Sequence, residues 1–181
     1  MSGKAYYIDT NNTFRPERII QMAEGLDLNE EEILEGIFVD RAYNSDHQFR
    51  LVKSAEIIIR KYGIKLLIID NIISHILSEL TVRGTLDLRR KLLRTHLNDL
   101  LRLTAIFPEL VIVYTNQVYE KPDVFYGSPL SALGGNVLAH AAHTRIYLRK
   151  GRGEERVAKV KKSPFLPDCE AVFSITDYGI M

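Results

Sequence analysis

Apolar residues along this chain recur with two alternating periods. Lys4 to Asp9 is a short apolar run closing on a carboxylate, which predicts a buried strand. Thr13 stands just before Arg15 and Pro16, a helix start with proline in its first turn. That helix extends to about Glu24 and stops at Gly25. Asn29 to Glu35 reads as a short helix with acidic residues at its start, and Ile37 to Ala42 as a second strand. From Asn44 to Tyr62 the apolar positions Leu51, Val52, Ala55, Ile58 and Ile59 fall on one helical stripe, closed by Gly63. Lys65 to Asp70 (KLLIID) is an uninterrupted apolar strand, of the kind covered on both faces in a parallel sheet. Leu86 to Phe107 is a long helix with Leu92, Leu93, Leu97, Leu100, Leu101 and Leu103 on its apolar side, ended by Pro108. Leu110 to Thr115 is another buried strand, and Val118 to Leu133 a long polar loop. Three strands follow, at Arg145 to Arg149, Arg156 to Lys161 and Ala171 to Thr176.

Strand and helix alternate first, and a run of strands comes after. This predicts an α/β fold, a mostly parallel sheet with an antiparallel extension. Ligands in such sheets bind beyond the carboxyl ends of the strands, where Asp9, Asp70 and Thr115 lie.

Composition narrows the partners. The chain has 181 residues, which predicts one domain, and its net charge is +1. A general basic field for nucleic acid is therefore excluded, and DNA contact must come from local clusters. The single cysteine, Cys169, allows no disulfide within the chain and fits a reducing, intracellular setting. No apolar run approaches the ~18 residues of a membrane span, and the amino terminus has no secretory core.

KLLIID carries the first chemical candidate. An apolar strand ending in Asp places a carboxylate near Mg²⁺ and phosphate in many nucleotide hydrolases, although such an Asp more often caps a helix. More specific segments accompany it: DTNNTFRPER (Asp9 to Arg18), RAYNSDHQ (Arg41 to Gln48), Arg83 with Gly84, and TNQV (Thr115 to Val118). GGNVLAHAAHTRIYLRKGRG (Gly134 to Gly153) and LPDCEAVFSITDYGI (Leu166 to Ile180) follow. Taken in order over nearly the whole chain, these segments resemble the ATPase core of RadA-type, RecA-like DNA recombinases.

The resemblance implies a RecA-like fold: a mostly parallel sheet flanked by helices, a carboxyl-terminal antiparallel extension, and a missing phosphate-loop strand. It implies homologous recombination and repair as the setting, ATP and Mg²⁺ as cofactors, and single-stranded DNA bound in a filament. Location would be cytoplasmic at the nucleoid in a prokaryote, or nuclear in a eukaryote. Asp70 corresponds to the carboxylate that orients Mg²⁺ through water, and Gln117 to a sensor coupling nucleotide to the DNA-binding loops. Arg83, Gly84 and Arg89 fall in and beside the first such loop, where a guanidinium fork suits phosphate. Without the resemblance, both arginines read as a solvated helix end. Tyr119 to Leu133 resembles the second loop, and Gly134, Gly135 and Asn136 follow it. The glycines would let the backbone approach phosphates closely.

Four departures bear on activity. No G-x-x-x-x-G-K-[ST] occurs; Ser2, Gly3 and Lys4 are followed by Ala5 and a strand. Asn11 stands where the family has a catalytic Glu, and an amide cannot take a proton from water. Ser128 replaces an acidic residue and Ala132 a proline in the segment that caps a neighbour's ATP, leaving Ser128 and Pro129 as its remnant. Leu77 and Leu80 replace an Arg and an aromatic. Negligible ATPase activity is the expectation for these residues alone. Two buried strands should also show unpaired edges. A dimer mate, or a separate amino-terminal fragment, would cover them. The helix from Asn44 keeps the small Ala55 of the family's peptide-docking groove but has the larger Ile57. The other open reading is a non-catalytic paralogue that regulates filaments of the true recombinase.

Overall fold

In the computed structural model, which describes residues 3–81, 84–120 and 130–181, the amino-terminal apolar runs pair as a parallel sheet. Its strands are β1 (Lys4–Asp9), β2 (Ile37–Arg41), β3 (Ile64–Asp70) and β4 (Val111–Tyr114), in the order β2-β1-β3-β4. The connectors include α1 (Pro16–Glu24), α2 (Glu30–Glu35), α3 (Ser45–Tyr62), α4 (Ser74–Glu79) and α5 (Leu86–Ile106). The chain leaves β1 toward β2 and leaves β3 toward β4, so these central strands are the point where the winding reverses. Register sets Asp9 beside Asp70 at their carboxyl ends.

Register also sorts the side chains. Tyr6 with Leu67, and Ile8 with Ile69, are paired on one face and fully buried. Val52, Ala55 and Ile59 of α3, and Leu93, Leu97, Leu100 and Leu103 of α5, complete this core. A leucine buried this way contributes about 2–3 kcal/mol. The opposite face behaves differently from the expectation for KLLIID. Leu66 and Ile68 are only half-buried, and their β4 partners Val111 and Val113 are 57% and 46% exposed. Apolar residues occupy that face, but no described element covers it fully.

The helix ends follow local chemistry. Asn44 accepts a hydrogen bond from the His47 N–H at 2.7 Å and so caps α3. Gly63 closes the same helix in the left-handed region, at φ 67°. The start of α1 differs from expectation: Arg15 takes the cap position instead of Thr13, with Pro16 at the first turn. Thr13 is drawn away because its N–H is bonded to Asp9.

The predicted loop from Val118 to Leu133 is a ribbon at its ends. β5 (Val118–Glu120) and β6 (Leu130–Ala132) pair antiparallel, and residues 121–129 lie outside the described residues. A short helix, α6 (Gly135–Ala141), comes next. The second sheet is antiparallel, in the order β10-β9-β8-β7, from β7 (Arg145–Lys150), β8 (Glu155–Lys162), β9 (Glu170–Thr176) and β10 (Gly179–Ile180). Ile146 and Leu148 of its edge strand β7 are 59% and 63% exposed. The chain divides into two compact units. One comprises Gly36–Leu138 with the residues up to Phe14, the other Arg15–Glu35 with Ala139–Met181. Within the second, Arg18 donates to the carbonyls of Thr176 and Asp177, each at 2.6 Å, and so ties α1 to the β9–β10 turn.

Candidate functional site

Asp9 and Asp70 are neighbours with opposite employment. Asp9 is 1% exposed and accepts hydrogen bonds from the N–H groups of Asn11 (3.1 Å), Thr13 (3.2 Å) and Phe14 (2.9 Å). Burial raises its carboxyl pKa, but these amides outweigh burial and hold it below the ordinary value. Its charge shapes the turn carrying Asn11. Asn12 takes positive φ (58°) in that turn, and the Asn11 side chain is exposed.

Asp70 stays half-exposed, and its carboxylate receives two hydroxyls. Tyr7 donates to Oδ2 at 2.8 Å and Thr115 to Oδ1 at 2.5 Å. Burial, then the bonded Asp70 carboxylate, raises the Tyr7 phenol well above its ordinary value, so it remains a donor. Among the described residues Asp70 caps no helix. That task belongs to Asn71, whose Oδ1 accepts from Ile73 N–H (3.1 Å) and Ser74 N–H (2.8 Å) at the start of α4. Thr10 closes the gap between the strand ends. Its Oγ1 accepts from the Asn71 N–H at 2.7 Å and lies 3.0 Å from the Ser74 hydroxyl.

The donor set fits an outer-sphere Mg²⁺ better than a direct metal centre. Among the described residues no group of three His, Cys, Asp or Glu could hold a metal. Asp70 offers one orientated carboxylate whose oxygens keep further lone pairs for metal-bound water. Mg²⁺ bound there would neutralise phosphate charge.

From Asp70 the structure leads to both segments expected to meet DNA. On one side lie Asn71, α4 and then Gly84, at φ 94°. Glu79 ends α4 and holds the start of α3: its Oε1 accepts from Ser45 N–H at 2.6 Å and its Oε2 from the Ser45 hydroxyl. Arg89, in the first turn of α5, is half-buried, and its buried Nε has no hydrogen-bond partner among the described residues. On the other side Thr115 leads to Asn116 and Gln117. The Gln117 side chain is exposed, whereas Asn116 Nδ2 donates to the Leu133 carbonyl at 2.8 Å.

Gly134 has φ 80°, and a Cβ there would lie 2.5 Å from Leu138 Cδ1 and 3.1 Å from Ile73 Cδ1. Its lack of a side chain thus serves close packing against the start of α4. Gly135 (φ 53°) and Asn136 are exposed at the start of α6. Arg83, Ser128 and Pro129 lie outside the described residues. In the docking groove expected along α3, Ala55 is buried and Ile57 is 69% exposed, so Ile57 is not packed into the core beside it.

Sequence reasoning missed Tyr7, Thr10, Asn71, Asn116 and a buried pair, Gln48 and His96. Gln48 Nε2 donates to the Ile72 carbonyl and meets His96 Nε2, each at 3.1 Å. Burial pushes the His96 pKa down to about 4. A signal for this pair existed, because Gln48 keeps helical spacing with Val52 and Ala55, and His96 adjoins Leu97 on the α5 stripe.

The Rad51 family model matches residues 1–181. Over 180 residues the chain is 46% identical to the DNA repair and recombination protein RadA of Aeropyrum pernix. That alignment covers 99% of this chain and 56% of the relative, so the chain spans little more than half of RadA's length.

Proposed function

The chain belongs to the Rad51 family, and from that premise we propose that it binds single-stranded DNA in recombination and repair. In this reading the segments flanking Gly84 and the β5–β6 ribbon contact DNA, with Arg83, Arg89, Gly134, Gly135 and Asn136 among the contacting residues. The observation that carries it is the position of Asp70, whose chain neighbour Asn71 and hydrogen-bond partner Thr115 each lead to one of these segments.

ATP and Mg²⁺ belong to the same reading. Asp70 holds Mg²⁺ through water, Gln117 senses the nucleotide, and Ser128 with Pro129 is the remnant of a cap on a neighbour's ATP. The functional unit is a filament or homo-oligomer, or this chain joined to a separate amino-terminal piece. Residues 1–181 contribute no hydrolysis alone. Asn11 has no carboxylate to accept a proton from water, and no phosphate-binding glycine loop occurs among these residues. Asn11, Ser128 and Ala132 together favour a second reading, a non-catalytic paralogue that regulates recombinase filaments.

Labelled single-stranded DNA titrated over a salt series, with and without ATP and Mg²⁺, tests the proposal. Binding should weaken steeply with salt, and an Arg89→Ala variant should show a shallower salt dependence; salt-sensitive binding that ignores ATP would favour the non-catalytic paralogue. Absence of binding at low salt would refute DNA recognition by these residues. ATP turnover lost on Asp70→Asn would refute the absence of hydrolysis.

A further inference from the structure

We propose that Glu79 is the positioning residue for the DNA-contacting segment that follows it, and that it acts by clasping Ser45 at the start of α3. The DNA role rests on the function proposed above; the clasp itself does not.

Glu79 stands in the last turn of α4, where the helix's own dipole opposes a carboxylate. Its oxygens serve another helix instead, at the end where a dipole favours negative charge. Oε1 accepts from Ser45 N–H at 2.6 Å, and Oε2 accepts from the Ser45 hydroxyl. Asn44 takes the His47 N–H of that helix, and the Ser45 N–H falls to Glu79. One turn earlier on α4, His75 Nε2 donates to the Ala42 carbonyl at 2.9 Å. A carbonyl offers no proton, so Nε2 is the protonated ring nitrogen. His75 and Glu79 are four residues apart on one face of α4, and they grip the two ends of the turn 42–45. The same turn is tied to the sheet by the Ala42 N–H, which donates to the Asp9 carbonyl at 2.9 Å.

α4 needs this grip. It has six residues, too few to stand as a helix alone. Asn71 holds its first turn, and Glu79 holds its last. Leu80 comes next, and its carbonyl accepts from the Thr85 hydroxyl at 3.0 Å. The Thr85 carbonyl accepts the Arg89 N–H at 2.9 Å, where α5 begins. Both ends of residues 81–84 therefore meet at Leu80, directly after the clasp, and these residues include Arg83 and Gly84.

By charge alone, a carboxylate beside a DNA-contacting segment repels phosphate. Charge and clasp thus predict opposite effects when Glu79 is neutralised, and labelled single-stranded DNA distinguishes them. Glu79→Gln removes the charge and sets an amide donor against one of the Ser45 donors. It should weaken DNA binding about threefold to tenfold, as expected for one lost hydrogen bond. Ser45→Ala changes no charge and should weaken binding by a similar factor, whereas Ser45→Thr should preserve it. The Glu79→Gln, Ser45→Ala double variant should fall well short of the product of the two effects. Amide exchange at Ser45, Leu80, Gly84 and Thr85 of the same proteins should speed in both single variants, with β3 and the centre of α5 as the folding control. Ser45 is 8% exposed, and if its variant fails that control, Glu79→Gln at an exposed side chain carries the test.

Tighter DNA binding by Glu79→Gln, effects that multiply in full, or unchanged exchange at Gly84 and Thr85 overturns the proposal. A natural chain that binds no DNA while exchange still responds removes the proposed function and leaves the clasp standing. DNA binding that neither variant weakens does the reverse.

Discussion

Two carboxylates share one end of the sheet, and their partners decide what each can do. Asp9 is held by backbone amides and is structural; Asp70 is held by two hydroxyls and remains half-open to solvent. Removing one hydroxyl should therefore free Asp70 without unfolding the sheet. Tyr7→Phe is expected to lower stability by about 1–2 kcal/mol in urea unfolding. The Tyr6 phenol, buried and bonded to Asp40 at 2.8 Å, is raised above its ordinary 10.0 by burial first, as is Tyr7. Above pH 10 the unfolded chain loses these protons while the folded chain keeps them. Stability present below pH 10 should then fall as pH rises, and a Tyr6→Phe, Tyr7→Phe double variant should flatten the decline. His96 works at the other end of the scale. Its pKa falls from 6.5 to about 4 by burial, so between those values the unfolded state binds the extra proton. Stability should drop by roughly 3 kcal/mol as pH falls through that window. Thermal unfolding at pH 7 and pH 4 would show it, and His96→Leu should remove this component.

At the scale of elements, positions with unusual backbone are the informative ones. Gly134 combines positive φ with a contact no Cβ can share. Gly134→Ala should destabilise the chain by about 2 kcal/mol or more and loosen the junction between α4 and the ribbon, read by calorimetry and by exchange at Ile73. Arg18→Ala removes two bonds to the β9–β10 turn and should cost about 1–2 kcal/mol, with faster exchange confined to β9 and β10. Sequence pattern made the long elements legible. The stripes of α3 and α5 and the strand KLLIID stand where periodicity set them, because burial of one face fixes period and register. Short elements escaped. α4, α6 and the β5–β6 ribbon are three to seven residues long and take their form from tertiary bonds such as Asn71 at α4 and Asn116 at the ribbon. The strand ends were legible as Asp9, Asp70 and Thr115, whereas Tyr7 becomes a partner of Asp70 through sheet register, which no local pattern encodes.

For the whole molecule, the half-covered side of the parallel sheet is the dominant feature. Val111 and Val113 continue Leu66 and Ile68 across that face, and β4 ends the sheet without a further partner among the described strands. Such a face favours association. At micromolar concentration the chain should self-associate, and Val111→Thr with Val113→Lys should shift it toward monomer in sedimentation experiments. A chain already monomeric at that concentration would show the face to be covered. The turn after β1 has a consequence for the molecule's history. Residues 11–14 are held by their N–H groups, so the architecture is indifferent to which side chain projects from position 11. An interchangeable socket of this kind lets the residue at position 11 change without a folding penalty, whatever task its side chain serves.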